Sequence, residues 1–214
     1  MSNLYKKYWR KSTMYNSGEI YLKILNIVKP KNFLEIGVFT GVNAMNICEN
    51  LYALYNHDFK YVGLDLFEDY NKEDDEEIVP SSIRNLQQSF SNPFKHFYYN
   101  IIKKEKLNSI ASVQNFLKKY KKNVSLIKGN TKKTLKELDI SNFDMVYVDG
   151  GHSFDTVYFE LNYLLDNLKK NCFILCDDYL HDEAKGVKEA IDKTIRERNL
   201  NIKIYENRFA SIVR

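Results

Sequence analysis

Asn32-Phe-Leu-Glu-Ile-Gly-Val-Phe-Thr-Gly-Val-Asn-Ala44 is an apolar strand that runs into a glycine-punctuated turn. Two later apolar runs end on acids, Met145-Val-Tyr-Val-Asp149 and Phe173-Ile-Leu-Cys-Asp-Asp178. A buried strand with acidic last residues places polar groups at one rim of a sheet, and open α/β folds bind ligands at that rim. Three such strand ends in one chain mark a candidate site.

Working outward, strands and helices alternate. Strands are expected over 33–36, 60–65, 124–128, 143–149 and 172–177, with helices over 42–55, 131–138, 154–168 and 184–198. This rhythm predicts an α/β domain with a parallel sheet covered on both faces. Asn16-Ser-Gly-Glu19 reads as a capping box for a further helix that ends before Pro30. The closing segment, Ile202-Lys-Ile-Tyr-Glu-Asn-Arg-Phe-Ala-Ser-Ile-Val213, reads as a hairpin around Asn207-Arg208, which adds an antiparallel strand. No repeat or linker interrupts the chain, so residues 1–214 are expected to form a single domain. Residues 1–29 form its N-terminal arm and first helix.

Residues 66–123 break the alternation. They open on the acid run Glu68-Asp-Tyr-Asn-Lys-Glu-Asp-Asp-Glu-Glu77, expected to be solvated, and continue with Ile83, Leu86, Phe90, Phe94, Phe97, Tyr98 and Tyr99. An insertion that apolar is expected to fold as a helical cap over the ligand rim and to set substrate choice.

Together these strand ends resemble the class I S-adenosylmethionine-dependent methyltransferases. The two later ends narrow the resemblance to metal-dependent O-methyltransferases of the catechol and macrolide-sugar types. Asp149-Gly-Gly-His152 is also similar to the Asp-Gly-x-His of a broad bacterial methyltransferase family. The resemblance spans about residues 30–213, except 66–123. It implies a Rossmann-like three-layer sandwich whose seven-stranded sheet is mostly parallel, with an antiparallel last strand.

The implied cofactor is S-adenosylmethionine, which presents an ammonium, a carboxylate and a sulfonium but no phosphate. Glu35 can hold the ammonium, directly or through water. The turn Gly37-Val-Phe-Thr-Gly41 permits close backbone approach, and its N–H groups with the Asn43 side chain can meet the carboxylate near a helix N-terminus. Phe39 and Thr40 line that turn. Asp65, closing Tyr61-Val-Gly-Leu-Asp65, can accept from both ribose hydroxyls, and Gly129, Asn130 and Thr131 form the turn that wraps adenine in such enzymes. Asn130 reads equally as the cap of the next helix. A dinucleotide fold would require Gly-x-Gly-x-x-Gly and a phosphate loop Gly-Lys-Ser/Thr, and neither is present.

Asp149 and the pair Asp177-Asp178 leave neighbouring strands, so their carboxylates can converge. Three converging carboxylates repel unless a cation joins them, and hard oxygen ligands suit Mg²⁺. The plainer alternative makes Asp149 a turn former and Asp178 a cap. His152 stands where catechol-type relatives carry a lysine base. It can take a proton from an acceptor hydroxyl, partner the aspartates, or cap a helix.

Composition bounds these readings. Of 214 residues 44% are hydrophobic and 28% charged, and the net charge of +4 is too mild for a nucleic-acid footprint. No run of 18 apolar residues spans a membrane, and the basic N-terminus lacks a signal core, so a cytoplasmic protein is expected. Three cysteines form no disulfide framework, and Cys172 and Cys176 are expected to be buried free thiols on one strand face. The expected partner is a small-molecule or carbohydrate acceptor, with a homodimer left open. The expected activity is Mg²⁺-dependent O-methylation. Its alternatives are metal-independent N- or O-methylation and a binding protein that has lost turnover.

Overall fold

The structure is a computed structural model that describes residues 15–67, 108–182 and 184–214. In chain order the elements are α1 (Tyr15–Val28), β1 (Asn32–Ile36), α2 (Val42–Tyr55) and β2 (Lys60–Asp65), then α3 (Ile110–Phe116) and a 3₁₀ turn at Lys118–Tyr120. There follow β3 (Val124–Lys128), α4 (Thr131–Glu137), β4 (Met145–Val148), α5 (Phe154–Asn167) and β5 (Phe173–Cys176). The last elements are α6 (Lys185–Arg198), β6 (Lys203–Tyr205) and β7 (Phe209–Val213). Helix α1 starts at Tyr15, so Asn16 lies inside its first turn rather than capping it.

One seven-stranded sheet has the order β3-β2-β1-β4-β5-β7-β6. Strands β1 to β5 pair in parallel, whereas β7 runs antiparallel to both β5 and β6. The alternation of side chains across the strands divides the core in two. Phe33, Tyr61, Met145, Tyr147, Leu175 and Phe209 pack under α1, α2 and α3. Leu34, Val62, Val146, Ile174, Cys176 and Ile212 pack under α4, α5 and α6. Burying both faces explains the near-continuous apolar strands. Cys172 and Cys176 are buried free thiols in the second layer, as their spacing predicts.

Strand order reverses at β1, whose neighbours are β2 and β4, so the carboxyl ends of these strands open the crevice where such sheets take ligands. Phe67 and Asn108, which bracket most of the long insertion, meet there: the Asn108 amide donates to the Phe67 carbonyl at 3.1 Å. The acid run at 68–77 and the first part of the expected cap, to residue 107, lie outside the described residues, as do residues 1–14. The remainder of the insertion is described as α3 and the 3₁₀ turn, which pack on the α1–α3 side of the sheet.

Candidate active site at the carboxyl rim

The turn after β1 is shaped by what it must lie against. Gly37 has φ +91°, and a Cβ on it would stand 2.0 Å from the Asp149 carbonyl oxygen. Only a residue without a side chain lets the turn pack on the end of β4. Gly41, at φ +77°, begins α2 under Val113 of α3, whose Cγ1 would lie 2.8 Å from an added Cβ. Phe39 adopts φ +54° and is partly exposed at the rim. Asp65 holds this conformation: its Oδ2 accepts from the Val38 and Phe39 N–H groups at 2.7 and 2.8 Å, and its Oδ1 accepts from the Phe67 N–H. Thr40 and Asn43 stand partly exposed on the same turn and helix start.

Glu35 lies beneath the turn. It is fully buried on the α1–α3 face, beside Tyr147 in register, with the Tyr61 hydroxyl donating to Oε2. Its Oε1 is buried with no hydrogen-bond partner among the described residues. Burial raises its pKa to about 8; the bond from Tyr61 opposes the rise and the charge of Asp65 adds to it. A carboxylate with no exposed surface cannot touch a cofactor ammonium directly, so of the two contacts expected for Glu35 the direct one is not available in this arrangement.

The turn after β3 resolves two side chains. Asn130 caps α4, its Oδ1 accepting from the Lys132 N–H at 2.9 Å. The Thr131 hydroxyl points inward and donates to the buried Glu160 at 2.6 Å. Gly129, at φ +148°, belongs to the backbone of this turn and donates its N–H to the Asp65 carbonyl.

At the ends of β4 and β5, Asp149, His152, Asp177 and Asp178 line one small cleft. His152 Nε2 lies 3.2 Å from Asp178 Oδ2. Ser153, not His152, caps α5, accepting from the Thr156 N–H. Asp178 adopts φ +56°, and Asp177 Oδ1 accepts its N–H at 2.7 Å, which secures the reversal of the chain after β5. Asp177 is 2% exposed and surrounded by donors: Arg208 Nε to Oδ1, Arg208 Nη2 to Oδ2 at 3.0 Å, and the Tyr147 hydroxyl to Oδ2 at 2.5 Å. Arg208 Nη2 also lies 3.3 Å from Asp178 Oδ1. Asp149 is partly buried, and no described residue hydrogen-bonds to its carboxylate.

Electrostatics follow from this arrangement. Burial, then the charges of Asp177 and Asp178, push Asp149 well above the usual carboxylate range. Burial also works against ionisation of Asp178, but the bond from His152 and the charge of Arg208 outweigh it and hold the group low. For Asp177, burial raises the pKa while Arg208 and Tyr147 pull it back.

The expected Mg²⁺ site does not match these donors. A carboxylate offers about four acceptor positions, and those of Asp177 are taken by two guanidinium N–H groups, a phenol and a backbone N–H. Among the described residues no three acidic, histidine or cysteine side chains are arranged to hold an ion. The convergence expected of Asp149, Asp177 and Asp178 is present, but the cation that joins the latter two is Arg208. Arg208, Tyr147 and Tyr61, which in the sequence read only as a hairpin tip and strand positions, are brought to the site by the fold. His57 is remote from the rim, paired with Asn123 at 3.2 Å, and His181 is exposed beyond β5.

A close glycine turn at the reversal point of the sheet, a buried strand acid with one oxygen that no described residue meets, and an acid at the end of β2 suit S-adenosylmethionine. Sheet order and site together define a class I methyltransferase. The family described as "Methyltransferase domain" matches residues 34–179, more than half of the chain. The chain belongs to that family and is an S-adenosylmethionine-dependent methyltransferase. No curated protein matches it. Among solved structures it is similar to the methyltransferase PaMTH1 of Podospora anserina bound to S-adenosylhomocysteine (19% identity, TM-score 0.65, covering 100% of this chain and 88% of that one). It is also similar to the O-methyltransferase TomG of Streptomyces achromogenes, involved in tomaymycin synthesis and in complex with S-adenosylmethionine (13%, 0.59, 100% and 90%). A third is an O-methyltransferase of Bacillus cereus in complex with S-adenosylhomocysteine (12%, 0.59, 93% and 81%). Among the described residues no helix is long and apolar enough to cross a membrane.

Proposed function

We propose that this methyltransferase transfers its methyl group to a hydroxyl oxygen of a small-molecule or carbohydrate acceptor, with His152 as the proton acceptor. One observation carries the reading: His152 is hydrogen-bonded to Asp178 at 3.2 Å in the cleft that also holds Asp149, whose backbone packs on the cofactor turn. A carboxylate beside one imidazole nitrogen fixes the ring and stabilises the imidazolium formed when the other nitrogen takes a proton. Such a base suits a hydroxyl, which must lose its proton as the new bond forms.

When bound, S-adenosylmethionine supplies an electrophilic methyl group on a sulfonium. Around it, Gly37 and Gly41 let the backbone approach, Asp65 holds the turn and stands where the ribose is expected, and Glu35 lies beneath the turn, where the ammonium would favour its ionised form. His152 receives the hydroxyl proton, and Asp149 is the second carboxylate facing the acceptor. Much of the rate would come from holding acceptor and methyl in contact. The reading carries no Mg²⁺ step, because Asp177 has no acceptor position left to give one.

The test is methyl transfer from radiolabelled S-adenosylmethionine to a panel of catechols, sugars and amines. Binding of S-adenosylhomocysteine and NAD is followed by calorimetry in parallel. Labelled ether products and binding of S-adenosylhomocysteine but not NAD are expected. Transfer confined to amines would replace the hydroxyl reading with N-methylation, and cofactor binding without transfer to anything would support a binding protein.

A further inference from the structure

A strand that runs against its neighbours starts where they end. Because β7 is antiparallel to β5, pairing Ala210 with Cys176, the residues just before β7 sit at the ligand rim. Glu206 and Asn207 adopt φ +45° and +56° and reverse the chain, and Arg208 follows them. Its backbone is fixed on both sides: its N–H donates to the Tyr205 carbonyl at 3.0 Å, and its carbonyl accepts from the Tyr179 N–H at 2.8 Å. The guanidinium carbon lies 5.5 Å from the centre of the Phe209 ring. From there it reaches both oxygens of Asp177 and approaches Asp178. This is a built position rather than a mobile surface arginine.

We propose that Arg208 is the resident cation of the rim, a positioning residue that holds Asp177 and Asp178 together and keeps a divalent-ion site closed. A guanidinium cannot lose its proton in a protein, so its charge is permanent. It satisfies Asp177 with a planar fork, which leaves Asp178 oriented toward His152. A divalent ion would have to displace the fork and share the cleft with it. As they stand, Asp149, Asp177 and Asp178 are not arranged to hold an ion; removing the guanidinium would free Asp177 and Asp178 to turn toward one beside Asp149, offering the hard oxygen donors that Mn²⁺ and Mg²⁺ prefer.

The significance of this for catalysis rests on reading the rim as the transfer site, but ion binding is measured without transfer, so the two can fail separately. The probe is Mn²⁺ alone, titrated into the full chain without cofactor and followed by the paramagnetic signal of the unbound ion. The parent is expected to bind Mn²⁺ no more tightly than Asp149→Asn does. Arg208→Met, which keeps length and loses charge, is expected to bind at least tenfold more tightly than the parent. Arg208→Lys should stay with the parent. Adding Asp149→Asn to Arg208→Met should remove the gain. Parent binding tenfold tighter than that of Asp149→Asn would overturn the proposal, because the guanidinium would then be yielding to an ion. An Arg208→Met variant with a native circular dichroism spectrum and no gain would overturn it too, as would a Lys variant that gains as much as Met. Should Arg208→Met fail to fold, the comparison of parent, Asp149→Asn and Arg208→Lys still decides.

Discussion

Replacing Glu35 with glutamine tests the buried acid beneath the cofactor turn. In the folded chain its carboxyl titrates at about 8, against an ordinary 4.5. Below pH 4.5 the group is protonated in both folded and unfolded chains and contributes no pH dependence. Between 4.5 and about 8 the unfolded chain releases the proton while the folded chain retains it. The unfolded state then binds fewer protons, and stability falls as pH rises. Above about 8 both states are ionised and the loss is complete. At about 1.4 kcal/mol per pH unit, that window corresponds to an upper limit of about 5 kcal/mol. Domains of this kind have about 5–15 kcal/mol in total, so the effect is large enough to measure. Water entering beside the buried Oε1 would reduce it, and a gap of at least about 2 kcal/mol is expected to remain.

Glutamine keeps the shape and an acceptor for the Tyr61 hydroxyl but cannot ionise. Urea unfolding of parent and Glu35→Gln from pH 5 to 9 should give similar stabilities at pH 5 and a growing advantage for the variant up to about pH 8. Other buried carboxyls titrate in both proteins and largely cancel; Asp149, whose pKa the Glu35 charge helps to raise, adds to the difference in the same pH range. Saturating S-adenosylmethionine should narrow the gap, since its ammonium favours the ionised acid. Two unfolding curves that run parallel from pH 5 to 9 would refute the argument, showing that Glu35 is hydrated or ionised throughout.

Three further outcomes separate the parts of the site. His152→Ala should lower turnover by about 10²–10⁴-fold, the usual contribution of a general base, while calorimetry finds unchanged affinity for S-adenosylhomocysteine; lost affinity would move His152 to the cofactor. Gly37→Ala drives a Cβ toward the Asp149 carbonyl, so the turn must shift. Stability should fall by about 1–3 kcal/mol and cofactor binding should weaken; native affinity would remove this turn from the cradle. Thr131→Val takes the hydroxyl from the buried Glu160. It should lower the urea midpoint by the equivalent of about 1–3 kcal/mol and leave cofactor affinity unchanged, because the hydroxyl faces away from the rim.

The limits of what can be read from this sequence follow from its own residues. Local pattern was enough to bound Val42–Tyr55, Lys60–Asp65 and Val124–Lys128, where apolar period and turn signals coincide. Strand β4 is shorter than expected, Met145–Val148 rather than 143–149: at its start the Phe143 N–H closes a turn onto Ile140, while the Asp144 and Asp149 N–H groups still bond to Asn32 and Ile36 just beyond its ends. The depth of Glu35 was not legible. Its strand is buried on both faces, so alternation says which layer the side chain enters but not whether it reaches the rim. Nor was Tyr61 visible as its partner, since that contact depends on two strands aligning Glu35 with Gly63. The convergence of Asp149, Asp177 and Asp178 was legible, because parallel neighbours end together. The carboxylates alone point to a cation from outside the chain, although the chain carries one 30 residues beyond Asp178. Its signal was the hairpin: once 209–213 reads as the strand that runs against the sheet, the residue before it must lie at the same rim as the aspartates. In a mixed sheet, then, the residues that begin an antiparallel strand belong on the list of ligand-rim candidates with those that end the parallel ones. For this enzyme that places an arginine at the acidic end of the site and makes its charge balance a property of the fold.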